Sequence, residues 1–510
     1  MKSFLQNLNE SLQRLHTASM HALWMVLTTG RKEWAERCEA EEIAYQEALA
    51  AVEWQPDQTG KSNRCERRQL EILERERLDS RTSPETRRRI SQVWNELNVQ
   101  FAAYRPTSSG KQLTEQQILR ELLHCPDQTY RKQLWQASMG IGQHIAPKLL
   151  ELVELRNQVA RQNGFDNYYV MKLESQELSL DLLDSLFTAL RKGLDSSYQS
   201  IMAEIDEELA AKWKLPKKDR YPWRYPHPFV QEYYSDEQSS VPVDLQSIQS
   251  KLIDYFHNLG FAIAEMLANA NLTSQDGKAQ TNFCLHIDRA GDIRISCNLD
   301  PSVRGIAILL HELGHAVYEQ GIDRTLPFLL RQPAQLFLSE AVAALMERLA
   351  LDPHWLSWLL DTEIVQPDSY RRRWQNNLLV RLYWTMTVVS FERQLYENPG
   401  QPLNRLWWDL VEEIQGLSRP LEWDYPYWAC KPHLTTLPVY YQNYLLGECA
   451  AAQLQDSLNQ RYGCWNTREA MQQVQECVFS PGISHTWSDI WQTVCGSTLQ
   501  SEPIVEQLRK

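Results

Sequence analysis

The sequence predicts a mainly α-helical protein, one large body at most bilobed, with a single small β-hairpin. Three observations carry that expectation. Glycine is scarce, 19 of 510 residues, which argues against a turn-dense all-β fold. Apolar residues recur at helical spacing, as at Leu5, Leu8, Leu12 and Leu15. Only 282–297 (NFCLHIDRAGDIRISC) has the β-branched and aromatic runs of paired strands, flanking a turn at 289–292.

The other elements follow in order. The N-terminal segment is amphipathic, and its apolar run Ala22–Leu27 is too short for a signal h-region, so it reads as a buried helix face. Between 61 and 90 the chain is dense in Arg and Glu and reads as a solvated helix laced by ion pairs such as Glu71–Arg75. The stretch 106–111 (PTSSGK) reads as a loop, followed by helices to about Leu173 and by one from Ser179 towards Trp213. Four prolines in 215–229 (LPKKDRYPWRYPHPF) forbid a helix there, and the segment is expected to run extended over a surface or cleft wall.

Composition excludes some functions. The net charge of −13 repels phosphate, so no nucleic-acid partner is expected. No stretch approaches the ~20 apolar residues that cross a bilayer. Ten cysteines without a CxxC pattern do not make a disulfide scaffold, and a reduced, cytoplasmic protein is expected.

The chemistry lies in 305–320 (GIAILLHELGHAVYEQ). His311 and His315 stand four apart on a helix, hence on one face, where both imidazoles can reach one ion. Glu312 points away from that row, near the ion but not on it, where it can hold the attacking water. Zinc enzymes need a third protein ligand. Glu319 continues the row but lies about 12 Å along the axis from His311, too far to share an ion. Glu340 sits in 336–346 (LFLSEAVAALM), apolar almost all round, where a lone carboxylate is costly unless an ion or a partner offsets it. The expected centre is one Zn²⁺ on His311, His315 and Glu340. The competing reading makes Glu340 a buried, hydrogen-bonded acid.

At these residues the chain resembles the angiotensin-converting-enzyme family of zinc peptidases, especially its bacterial-type members. HELGH followed 25 residues on by the glutamate of SEA is similar to that family's HExxH and FHEA pair. Further similarities lie in 154–169 (ELRNQVARQNGFDNYY), in the hairpin 284–297, in WWDL at 407–410 with QGL at 415–417, and in KPH at 431–433 with PVYYQNY at 438–444.

The resemblance implies a single catalytic domain over 1–510: a helical ellipsoid of two intertwined lobes around a deep cleft, with zinc halfway down. It implies release of C-terminal dipeptides from short peptides. Lys431 would anchor the terminal carboxylate with Tyr441, and Gln231 would match a glutamine that assists. His433 would line the primed side, Tyr444 would donate to the oxyanion, and His286 would contact substrate backbone. The spacing from His433 to Tyr444 is one residue longer than the family's, so Tyr440 competes with Tyr441. Asn443 stands where the animal enzymes carry an arginine that helps bind chloride, so chloride activation is not expected. Ala344 replaces an aspartate that orients a zinc histidine, and another group must do that work. The resemblance also implies a Cys284–Cys297 bridge, for which reduced thiols are expected in the cytoplasm. An endo-acting oligopeptidase or a single-residue carboxypeptidase on the same zinc chemistry stays open, as does, remotely, an inactive peptide-binding protein.

Overall fold

The computed structural model describes residues 2–53, 63–108, 110–214, 219–233, 243–279, 281–364 and 367–509. The fold is mainly α, with two small two-stranded antiparallel sheets among the described residues.

The N-terminal helix Lys2–Thr29 buries Leu5, Leu12, Ala22 and Trp24, and packs along the helix Lys32–Ala50. The turn between them needs Gly30, at φ +63°, because a Cβ there would meet the Gly277 carbonyl oxygen at 2.3 Å. The charged stretch that follows is two helices, not one. Arg64–Glu76 is capped by a reciprocal Asn63–Glu66 box, and Pro84–Ala103 starts at Ser83 with Pro84 in its first turn. Nor is it only a solvated surface, since Arg68, Leu70, Ile72 and Leu73 are buried. Its ion pairs are chosen by tertiary packing. Arg75 and Arg68 both bind Glu177 at 2.8 Å, and Glu71 pairs with Arg68 at 3.2 Å rather than with Arg75. The expected loop at 106–111 carries a two-residue antiparallel ladder, Thr107–Ser108 with Lys111–Gln112.

The helix Leu180–Trp213 begins where Ser179 Oγ accepts from the Leu182 amide. Of the proline-rich segment, 215–218 lie outside the described residues. The remainder is a non-helical strap with a short 3₁₀ turn, Pro222–Arg224. The buried guanidinium of Arg131 satisfies its backbone by donating to the carbonyls of Trp223, Arg224 and Tyr225.

The predicted hairpin forms from Phe283–His286 and Ile293–Ser296, with His286 opposite Ile293. Asp288 Oδ1 accepts the amides of Ala290, Gly291 and Asp292 and so fixes the turn. Cys284 faces Ile295 across the ladder, and both Cys284 and Cys297 are free thiols.

Three helices then converge: Val303–Gly321, Leu336–Glu347 and Gln442–Tyr462. Two glycines set how closely. A Cβ on Gly314 would lie 2.5 Å from Ala343 Cα, and one on Gly447 would lie 2.6 Å from Glu340 Cβ. Missing side chains thus bring both outer helices against the one that carries Glu340. One contiguous apolar cluster, from Val93 to Leu508, surrounds this junction.

Candidate metal centre and substrate site

Ser302 Oγ accepts the Gly305 amide and starts the helix that carries HELGH. One face of that helix presents His311 and His315, with imidazole centroids 5.0 Å apart. The Glu340 helix runs against it. His311 Nε2 lies 3.6 Å from Glu340 Oε2 and His315 Nε2 lies 4.0 Å from it. One ligand atom from each of the three residues falls within 4.8 Å of the others. Two imidazoles and a carboxylate are the donor set of a three-ligand zinc site, and their arrangement fits one ion.

The opposite ring nitrogens are held as metal-binding histidines require. Glu347 Oε2 is 3.1 Å from His311 Nδ1, and Ser339 Oγ is 2.7 Å from His315 Nδ1. With a metal on Nε2, each Nδ1 would carry the hydrogen and donate it to these partners. Burial opposes charge on Glu347, but Arg381 and His311 overcome it and hold its carboxyl near 2. Arg381 reaches Glu347 at 3.4 Å and Glu448 at 3.6 Å. The work left open by Ala344 is therefore done by Glu347, seven residues and two turns beyond Glu340 on the same helix face. That spacing was readable in the sequence. Arg381, which comes from a different helix, left no comparable signal.

Glu312 is 6% exposed, and its Oε2 has no hydrogen-bond partner among the described residues. Burial raises its pKa to about 7, with Glu340 and Glu347 adding to the rise against the pull of His311. A carboxylate poised near neutrality, with one oxygen unpartnered, suits a proton acceptor.

The tyrosines after Pro438 divide their tasks. Tyr440 Oη donates to Glu340 Oε1 at 2.5 Å. The Tyr441 ring instead lies 5.6 Å from Lys431 Nζ and 5.0 Å from the His433 ring. Tyr444 packs on both neighbouring tyrosines, at 5.3 Å and 5.5 Å between centroids. Its hydroxyl is held well above the usual phenol range by burial and then by Glu340, so it stays a donor.

Lys431 is 8% exposed and stands in an aromatic box of Phe229, Trp384 and Tyr441, its Nζ 5.4–5.6 Å from each ring centre. It donates to Gln231 Oε1 at 2.7 Å, which brings the weakly expected glutamine to its lysine. His433 adjoins them. Burial, then Lys431, lower its pKa to about 3, so it is neutral.

His286, expected to contact substrate backbone, makes its hydrogen bonds to Glu319 and within the hairpin. Its Nδ1 is 2.8 Å from Glu319 Oε2, and its Nε2 accepts the Gly291 amide at 3.1 Å. Both ring nitrogens are thus engaged within the protein. Glu319, dismissed as a metal ligand, serves the hairpin instead.

Two valines with positive φ flank these groups: Val230 at +50° precedes Gln231, and Val439 at +55° precedes Tyr440. A β-branched residue in this region carries a strain of about 1–3 kcal/mol, tolerated where surrounding contacts fix it. Around Val439 those contacts are explicit. Its amide donates to Glu392 at 2.8 Å, and its carbonyl accepts from Gln176 at 3.0 Å and from Gln442 at 2.6 Å.

A family model described as peptidase family M3 matches residues 121–510, and one described as angiotensin-converting enzyme matches residues 1–220. The second match ends before the HELGH helix. The first spans well over half of the chain, including His311, His315 and Glu340. The chain belongs to peptidase family M3 and is a zinc metallopeptidase of the gluzincin class that hydrolyses peptide bonds. No described helix is long and apolar enough to cross a membrane.

Proposed function

We propose that this member of peptidase family M3 releases dipeptides from the C-termini of short, unstructured peptides. The observation that carries the mode of cleavage is Lys431: a nearly buried ammonium, boxed by three rings and bound to one amide oxygen. An ammonium has three donors, and a substrate carboxylate would take those that Gln231 leaves. The Tyr441 ring lies 5.6 Å from Lys431 Nζ and 5.5 Å from the Tyr444 ring. An anchor at Lys431, separate from the metal group, would suit a substrate with backbone between its carboxylate and the scissile bond.

His311, His315 and Glu340 would hold the zinc, which when bound would supply Lewis-acid polarisation of the scissile carbonyl and lower the pKa of the attacking water. Glu312 accepts the proton of that water and passes it to the leaving amine. Tyr444, aided by His433, donates to the oxyanion that develops on the carbonyl. Glu312 and Glu340 are buried, which suits short, unstructured peptides better than folded proteins as substrates. Free thiols at all ten cysteines fit a reducing, cytoplasmic setting.

Kinetics of Lys431→Ala test the reading. It expects a loss of kcat/KM on peptides with a free C-terminus and little change on amidated ones. An equal loss on both would refute the anchor.

A further inference from the structure

We infer that Tyr440 is a positioning residue of the metal centre: its hydroxyl occupies one oxygen of Glu340, so the carboxylate offers the ion only the other. The inference rests on the reading of His311, His315 and Glu340 as metal ligands.

Tyr440 Oη donates to Glu340 Oε1 at 2.5 Å, the length of a hydrogen bond to a charged acceptor. The second oxygen, Oε2, is the one that faces His311 Nε2 and His315 Nε2. The two oxygens of one carboxylate are thus assigned to different tasks. A carboxylate with both oxygens free can bind an ion through one or both. Taking both would consume the coordination position that a zinc hydrolase keeps open for water and substrate. The tyrosine hydroxyl prevents this without adding a charge.

Its placement is built into the backbone. The left-handed turn at Val439 is pinned by Glu392, Gln176 and Gln442, and it delivers Tyr440 towards Glu340 while Tyr441 turns to Lys431. Gly447, one turn past Tyr444, lets this helix approach Glu340 so closely that a Cβ there would lie 2.6 Å from Glu340 Cβ. Neither neighbouring tyrosine duplicates the contact.

The test compares wild type with Tyr440→Phe, which removes one oxygen and keeps the ring that packs on Tyr444. Zinc affinity is measured by chelator competition, and the visible absorption of the cobalt(II) form reports the coordination sphere. Melting curves confirm that both proteins are folded. The expected result is a zinc affinity about 10–100-fold weaker, with weaker cobalt bands as the freed oxygen raises the coordination number. Unchanged affinity and an unchanged spectrum in a folded variant would overturn the inference alone. A wild type that takes up no stoichiometric zinc or cobalt would overturn the metal-centre reading, and this inference with it.

Discussion

His311 Nδ1 lies 3.1 Å from the Glu347 carboxylate, which Arg381 in turn holds ionised. The contact fixes the imidazole so that Nε2 faces Glu340. It also ties the metal group to Glu448 on the helix that carries Tyr444, because Arg381 touches both carboxylates. Removing such a partner usually weakens metal binding by about 10–100-fold. Glu347→Gln is expected to fall in that range by chelator competition, while Ala344→Ser, at the position of the missing aspartate, is expected to change little. Equal affinities for wild type and Glu347→Gln would refute the role of Glu347.

Glu312→Gln separates catalysis from metal binding. Glu312 is not one of the three ligand residues, so zinc content should remain near one per chain. Loss of the proton acceptor should lower kcat by about 10²–10⁴-fold. A variant with near-normal turnover would show that another group takes the proton.

Gly447→Ala probes the helix junction. The added Cβ would lie 2.6 Å from Glu340 Cβ, closer than real atoms approach, so one helix must move. Overpacking of this kind costs about 1–3 kcal/mol. Both the melting temperature and zinc affinity are expected to fall, the second because Glu340 itself is displaced. A stable variant with unaltered metal binding would contradict the packing described.

Glu392 links stability to pH. Its carboxyl is 1% exposed, and burial raises its pKa to about 8, against the partial relief of the Val439 amide and Arg156. Its folded pKa lies above its unfolded one. Its contribution is therefore complete below about pH 4.5 and is lost as pH rises towards 8. Glu392→Gln keeps an acceptor for Val439 but cannot ionise. Relative to wild type it should gain stability between pH 5 and pH 8.5, by on the order of 3–5 kcal/mol at the upper end. Melting temperatures at the two pH values check this, and a pH-independent difference would refute the assignment.

The features legible in the sequence were those set by local spacing. The HELGH pair, the apolar surroundings of Glu340 and the hairpin at 282–297 each depend on neighbours within a few residues, and the structure brings them together. Glu347 was legible in principle, two turns beyond Glu340, but only once its helix was treated as a face rather than as an apolar run. What could not be read was set by tertiary choice. Arg75 takes Glu177 rather than Glu71 because the fold brings that carboxylate closer. His286 finds Glu319 through the packing of hairpin on helix. That Tyr440 meets Glu340 while Tyr441 lies by Lys431 follows a strained turn at Val439, whose positive φ no propensity for valine would suggest.

The most direct test of the account is mass spectrometry of unstructured peptides incubated with the zinc-loaded protein, each supplied with a free or an amidated C-terminus. The account predicts stepwise loss of two residues from the free form and at most slow cleavage of the amidated one. Internal cuts indifferent to amidation would contradict it, leaving the zinc chemistry in place and Lys431 without its role.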